Sequence, residues 1–483
     1  MNRNQVKVAG CLAFAALAAM TFTACHEGFD EDESFQSNVR GQQLQSPSLT
    51  DQNFSISTLT DETSRVTITW PLIEGAGGYH LIVQNVDDPS NPVTLIDEVV
   101  DGTTYTMTGE EDTNYKFTLQ TEGNARWNNT GAAQASEYYW GTLPKATEIP
   151  AGADLVSWFK ENLDPDATEE QRFELAAGTY TLSGVLDFGT KKVTLRGNKS
   201  QRTQLVLGEQ GVITTSAGLK LKFLNVDASA SQQTGVIECS DQVDASVPNL
   251  RDRAYYLNDS IVLKHCWFKD VQGCLFHIGN NSWGVTQLLI RDCIVQLNND
   301  GTRYANGAVI STFSPKNLYN GKSSTYAAIR YIDLERNTFY NTQSNAKNMF
   351  IKLRTNNFAN LFDTNEGGVV MKQNTFSKTM TDGSSTVYFA RFTPNNALYT
   401  LDIEDNIYYD CWRVSSLVQS QNTKKLDGNT VYAERGLHSN DSTLFVIQNP
   451  GFGEVTQSLD FSKQNGGVSF KPAGTNGDPR WQE

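Results

Sequence analysis

From about residue 190 onward, apolar and polar positions alternate in a short unit that keeps returning. Its form is apolar-x-apolar-x-x-Asn/Cys-x-apolar, with the Asn/Cys position at Asn198, Cys266, Cys293, Asn337, Asn374, Asn406 and Asn429. Alternation with a period of two is the mark of a strand with one face inside. Leu334, Met371 and Ile403 are predicted to point inward, and the Asn follows three residues later, where the chain must turn. An inward Asn at a bend can bond the backbone there and its counterpart on the next coil, while Cys fits the same slot as a small apolar residue. A second apolar run follows the unit at 273–279, 307–313, 348–354, 386–392 and 413–419. Two strands per repeat, stacked coil on coil, predict a parallel β-solenoid. The spacings between successive Asn/Cys positions from Cys266 to Asn429 are 27, 44, 37, 32 and 23, so loops of different length leave the corners. Long corner loops are expected within 228–258, 314–325 and 355–368.

One outward position of the unit is charged in every copy: Arg196, Lys264, Arg291, Glu335, Lys372, Glu404 and Asp427. Strands stack about 4.8 Å apart. From Arg291 to Glu404 the signs alternate, so neighbours attract. Each such pair contributes only about 0.2–1 kcal/mol, which describes a solvated face.

Before the coils, residues 47–144 carry strand patterns only: Val66, Ile68 and Trp70, then Tyr79, Leu81 and Val83, then Tyr105 and Met107, then Tyr115, Phe117 and Leu119. Gly75, Gly77, Gly78, Asp87, Pro89 and Gly102 break the runs. About seven short strands in this length predict a sandwich. The set of Trp70, Tyr79 and Asn114, Tyr115, Lys116, Phe117 resembles a fibronectin type III domain, with Tyr115 at the tyrosine-corner position. Asp154 is placed to cap a helix whose Leu155, Val156, Trp158, Phe159 and Leu163 share one side. Such a helix can plug the open end of a solenoid. The segments at 178–180 and 193–197 resemble the first turns of pectin-lyase-like right-handed β-helices, over residues 145–483. The expected fold is therefore all-β: a fibronectin type III sandwich followed by a right-handed parallel β-helix with an N-terminal capping helix.

Residues 1–24 read as an export signal, with Arg3 and Lys7 before an apolar run from Val8 to Met20. Thr21, Phe22, Thr23 and Ala24 directly before Cys25 resemble the lipoprotein box, which implies acylation of Cys25. Residues 25–46 then form a tether, with Glu27, Asp30, Glu31, Asp32 and Glu33 repelling one another. Acidic residues behind the lipidated Cys resemble the surface-export signal of lipoproteins in glycan-degrading bacteria. That resemblance implies an outer-membrane, lipid-anchored protein facing the exterior, beside a glycan-uptake complex.

The formal net charge is −15. It argues against nucleic acid and anionic lipid as partners, and against polyanionic glycans unless a local basic patch or a bound cation intervenes. Cys239, Cys274 and Cys411 show no metal or CxxC spacing, and buried thiols are expected. Relatives of the pectin-lyase fold include lyases, hydrolases, esterases and binders, so the fold leaves the activity open. The chain lacks their RxPxxR, Asn-Thr-Asp and Gly-His-Gly segments. The best catalytic candidates are Lys352 and Arg354, expected to project side by side, with His277 and Arg391 on neighbouring coils, as a cationic strip suited to uronate. Residues 298–301 read as a plain turn rather than a Ca²⁺ loop. Trp283, Tyr304, Tyr319, Tyr326 and Trp412 are expected at loops or corners, where rings can stack on sugars. Phe452, Leu459, Phe461 and Trp481 are expected to cover the far end of the solenoid. The favoured expectation is a non-catalytic surface protein that binds polysaccharide, pectic polymers included, with no cofactor. The alternatives are a polysaccharide lyase or other pectin-active enzyme, using Ca²⁺ if a lyase, and a structural or adhesive protein.

Overall fold

A computed structural model describes residues 39–482, apart from 61, 248, 251–253, 302–306, 313–317, 320–321, 324–326, 354–357, 382, 384–387, 393, 453–454 and 456. The chain divides into two compact units, Met1–Leu143 and Pro144–Glu483.

The first unit is a pair of antiparallel sheets. One holds Phe54–Thr58, Thr63–Thr69 and Thr104–Glu110; the other holds Val93–Val100, Tyr79–Asn85, Asn114–Thr121 and Ser136–Gly141. Alternation buries Ile68, Leu81, Val83, Phe117 and Leu119 between them, around Trp70 and Tyr79. The rings of Trp70 and Tyr79 meet edge to face at 5.5 Å. Tyr115 is buried, and its hydroxyl accepts a bond of 2.8 Å from the Glu110 backbone five residues upstream.

The second unit is built from long parallel sheets, and each full coil contributes a strand to three of them. The eleven-stranded sheet runs from Thr147–Ile149 to Thr423–Lys425, the ten-stranded from Thr179–Leu182 to Val446–Ile447, and the seven-stranded from Val185–Asp187 to Ala390–Phe392. This corrects the count of two strands per repeat. The recurring unit is itself two strands joined at a corner, as in Ala328–Glu335 and Thr338–Asn341. The bend is made by the residue before the Asn/Cys. His265, Asp292, Arg336, Gln373 and Asp405 all sit at φ of 53–54° there, and Phe223, before Leu224 on an earlier coil, sits at 56°. Left-handed backbone at one residue turns a strand sharply without breaking the ladder on either side.

From Asn337 to Asn429 the corner Asn does what was expected of it, whereas Asn198 turns its oxygen to its own loop and accepts from Ser200 N and Gln201 N at 3.1 and 2.7 Å. The Asn374 side-chain amide donates to the Leu334 carbonyl at 2.7 Å and to the Asn406 side-chain oxygen at 2.8 Å. Its own oxygen accepts from the backbone and the side chain of Asn337, at 3.0 and 2.9 Å. Asn406 repeats this with Asn429. Cys293 occupies the slot before Asn337, and its backbone N–H donates to the Asn337 oxygen at 2.9 Å. Cys239, Cys266, Cys274, Cys293 and Cys411 are buried free thiols. Inside the coils Phe339, Phe376 and Tyr408 stack in a column, at 5.5 and 5.0 Å with nearly parallel rings.

The helix Leu155–Asn162 is capped by the Asp154 carboxylate, which accepts from Ser157 N at 3.2 Å. It buries Leu155 and Phe159, and Phe159 meets Phe173 and Phe188 edge to face at the start of the coils. All three expected loops hold structure: 228–258 contains the strand Gly235–Cys239 and the start of Ala254–Lys264, 314–325 the paired Leu318–Tyr319 and Lys322–Ser323, and 355–368 the helix Phe358–Phe362. The run 413–419 is not a strand but a 3₁₀ turn at Val414–Leu417.

The C-terminal segment departs from expectation more plainly. Phe452, Leu459, Val468, Phe470 and Trp481 pack on Trp267, Ile294, Tyr340, Ile407 and Tyr409, with Phe461 at their margin. They cover the outer flank of the ten-stranded sheet, not the end of the solenoid. That flank is apolar, so it needs a cover as much as an open end does. The strap is pinned by Trp481, whose indole donates to Thr338 Oγ1 at 2.6 Å, and by Asp478, which accepts from the same hydroxyl at 2.8 Å. Burial pushes the Asp478 carboxyl up to about 6, against the opposing pull of Arg480.

Candidate functional site

The seven-stranded sheet carries an outward polar row. Register pairs Asp187 with Thr214, Thr214 with Glu238, Glu238 with His277, His277 with Ser311, Ser311 with Lys352, and Lys352 with Arg391. The inward neighbours are Leu186, Ile213, Ile237, Phe276, Ile310, Ile351 and Ala390, all in the core. Three sequence candidates thus share one row: His277, Lys352 and Arg391. Arg354 lies outside the described residues.

The row is not equally open. His277, Ser311 and Lys352 are buried, whereas Asp187 and Arg391 at its two ends are exposed. Lys352 therefore does not project as expected; its ammonium is closed in at 3 % exposure. The order Glu238, His277, Ser311 is that of a hydrolase triad, which requires the carboxylate to receive the Nδ1 proton. Here His277 Nδ1 accepts from Gly279 N at 3.1 Å, and Glu238 Oε2 stands 3.6 Å away. Glu238 Oε1 is taken by Gly235 N at 2.6 Å. With Nδ1 accepting from Gly279, Glu238 does not take the Nδ1 proton that the triad requires. Among the described residues no three His, Cys, Asp or Glu side chains gather as metal ligands.

The open end of the row leads into a depression of ≈ 350 Å³, lined by Tyr388, Arg391, Arg413, Ser415, Gln419 and Asn440 among others. Its wall is the turn Val414–Leu417, anchored by buried Val414 and Leu417. The chain enters that turn through Arg413 at φ 53°, ψ 51°. The Arg413 guanidinium lies over the Tyr388 ring at 4.1 Å. Ser416 Oγ accepts from Ala390 N at 2.9 Å, tying the wall to the last strand of the sheet. Among the described residues no carboxylate lines the depression; Asp441 is buried behind it, where it accepts from Ser415 N at 2.7 Å. Arg413 and Tyr388 escaped the sequence reading. The one available signal was a pair of arginines 22 residues apart in successive runs.

The aromatic candidates separate in the same way. Trp283 is not at a corner but in the strand Ser282–Arg291, fully buried, with its indole donating to the Ser240 carbonyl at 3.3 Å. Its ring is closed to a sugar. Trp412 is half-buried and meets His438 edge to face at 5.5 Å. Tyr319 falls in the short hairpin of Leu318–Tyr319 and Lys322–Ser323. Tyr304, Tyr326 and Cys25 lie outside the described residues. Residues 298–301 form a turn, with Gly301 N donating to Asn299 Oδ1 at 2.9 Å.

Two family models match parts of the chain. One, DUF4992, described only as a domain of unknown function, matches residues 4–182. The other, described as a domain of unknown function (DUF4957), matches residues 178–342. The first therefore ends within the strand Thr179–Leu182 and the second spans the early coils; the depression lies C-terminal to both. No curated protein matches the chain.

Proposed function

We propose that this chain is a bacterial cell-surface lipoprotein that holds polysaccharide for a glycan-utilisation system. In this reading Cys25 carries the lipid that anchors it to the outer membrane, facing outward. Residues 25–46 are an extended tether, 47–144 a fibronectin type III spacer, and the pectin-lyase-like coils of 145–483 the binding element. The three-plus-four strand arrangement and the Tyr115 hydroxyl bond to Glu110 support the spacer assignment.

The observation that carries the binding reading is the state of the polar row. Its potential acid–base groups, His277 and Lys352, are buried, and its exposed end opens into a depression where a tyrosine and two arginines stand together. Such a site has groups to hold a sugar chain, while the row's histidine and lysine are shut away from solvent. The test uses protein lacking residues 1–25 in affinity gels cast with plant and host polysaccharides, while released unsaturated uronate is followed by absorbance. Retardation without product is expected. Failure of every glycan in the panel to retard the protein would overturn the proposal, and product formation would replace it with a polysaccharide lyase.

A further inference from the structure

We propose that the depression between Tyr388, Arg391 and Arg413 binds a single anionic substituent of the glycan, a carboxylate or a sulfate. This rests on the polysaccharide reading above and names the chemistry of its site. The net charge of −15 makes the chain as a whole a poor host for polyanions. The depression reverses that locally, since among the described residues its lining holds two guanidinium groups and no carboxylate.

Three features make it a site for an anion rather than a patch of surface charge. First, Arg391 is exposed and makes no ion pair among the described residues, although its ladder partner Lys352 is also a cation. Second, the Tyr388 ring holds the Arg413 guanidinium plane from one side. A planar, fixed fork is the geometry that recognises carboxylate or sulfate through paired N–H groups. Third, the volume of ≈ 350 Å³ is near the lower end of the range of roughly 300–1,000 Å³ typical of small-ligand sites. It suits one charged sugar and its neighbour, not a long polymer groove. Ser415, Gln419 and Asn440 supply neutral polar groups for hydroxyls.

By contrast, the depression beside the capping helix, ≈ 930 Å³, mixes Lys160 and Lys191 with Asp187 and Asp244. It shows no preference of sign. Arg330, elsewhere on the coils, also lies near a tyrosine ring, 5.1 Å from Tyr331, but Glu366 already answers it at 3.5 Å. It serves as the internal control.

The experiment is titration calorimetry on protein lacking residues 1–25, with oligogalacturonate, its methyl ester, a sulfated galactan oligosaccharide and a neutral galactan oligosaccharide. Oligogalacturonate, the sulfated sugar or both are expected to bind at least ten-fold more tightly than the uncharged pair, with affinity falling as salt rises. Which of the two binds assigns carboxylate or sulfate. Arg391→Gln and Arg413→Gln should each weaken binding five-fold or more, Arg391→Lys less, and Arg330→Gln not at all. Circular dichroism and melting curves establish that each variant is folded. If Arg413→Gln does not fold, Arg391→Gln, at an exposed side chain, decides alone. Equal binding of charged and neutral sugars, or full anionic-sugar binding by folded Arg391→Gln, would sink this inference and leave the polysaccharide reading standing. Absence of binding by all four sugars, together with no retardation in the gels, would remove both.

Discussion

Two outward rows on the same coils show how differently a β-solenoid can treat charge. On the eleven-stranded sheet the register aligns Glu174, Arg196, Lys222, Lys264, Arg291, Glu335, Lys372 and Glu404. Glu174 meets Arg196 at 2.8 Å, Asp333 meets Arg291 at 2.6 Å, and Asp402 meets Lys372 at 2.6 Å. Arg196, Lys222, Lys264 and Arg291 are closed in, none above 9 % exposure. On the seven-stranded sheet the row instead ends at Arg391, exposed and facing a depression that contains a second arginine. A charge answered inside its ladder belongs to the architecture. A charge left open at the end of a row is available to something else. The same kind of residue, at the same kind of position, carries opposite meanings according to what stands beside it.

Both rows depend on register, and the corner asparagines hold it. The largest effect is therefore expected from Asn374→Leu. It removes the donor to Leu334 O and Asn406 and the acceptor of Asn337, all buried. Stranding buried polar partners on two coils should cost about 3–5 kcal/mol in urea unfolding. Asn374→Cys should cost less than half as much, because Cys266 and Cys293 already occupy the slot. Equal losses from the two variants would show that size, not hydrogen bonding, sets the corner.

This corner also marks how much the sequence reveals. The Asn positions and the inward Leu334, Met371 and Ile403 are legible, because burial repeats with a period of two and the amide needs a fixed slot. The division of each coil among three sheets is not, because the bend is a backbone dihedral carried by residues as different as Phe223, Arg336 and Asp405. Side-chain type says little about a left-handed residue unless it is glycine or asparagine. The apolar outer flank of the ten-stranded sheet was hidden for a related reason. Trp267, Ile407 and Tyr409 break the apolar-in, polar-out rule, and only the strap explains them. Of the site, Arg391 was visible as a position in a run, whereas Arg413 enters through a 3₁₀ turn that apolar periodicity reads as a strand.

The next effect concerns that strap. Asp478 keeps its proton to about 6 in the fold, against an ordinary value of 3.8, because it is buried. Below 3.8 the carboxyl is neutral in both the folded and the unfolded chain, and the strap holds at full strength. As pH rises through 6 the unfolded chain has already ionised, and the strap loses up to about 3 kcal/mol. Protection factors at the Leu459 and Trp481 amides, measured against the free-peptide rate at each pH, should therefore fall between pH 4 and pH 7. Asp478→Asn should flatten that dependence; an unchanged profile would mean that the carboxyl does not pin the strap.

A smaller effect is expected in the answered row. Lys372 faces Asp402 and Glu404, and Glu404 is held down at about 2 by its bond with Asp402 and by Lys425 and Lys372. Lys372→Met should cost about 1 kcal/mol or less at neutral pH, as for other partly exposed pairs. A group held low stabilises above its ordinary value of 4.5 and loses that contribution as pH falls toward 2. The cost of Lys372→Met should shrink over that same interval, which unfolding curves at pH 7, 4 and 2.5 would follow.

The smallest stability change should come from the open end of the other row, and there the comparison is decided. Arg391 is exposed and makes no ion pair among the described residues, so Arg391→Gln has little in the fold to lose. Its unfolding free energy should stay within about 0.5 kcal/mol of the parent, or rise slightly as the like-charged pairing with Lys352 is relieved. A loss near that of Lys372→Met would show that Arg391 also belongs to the architecture, and the contrast between the two rows would collapse. An unchanged fold with weakened retention of charged sugar would place Arg391 in recognition rather than in the architecture, since its charge would then matter to the ligand and not to the fold.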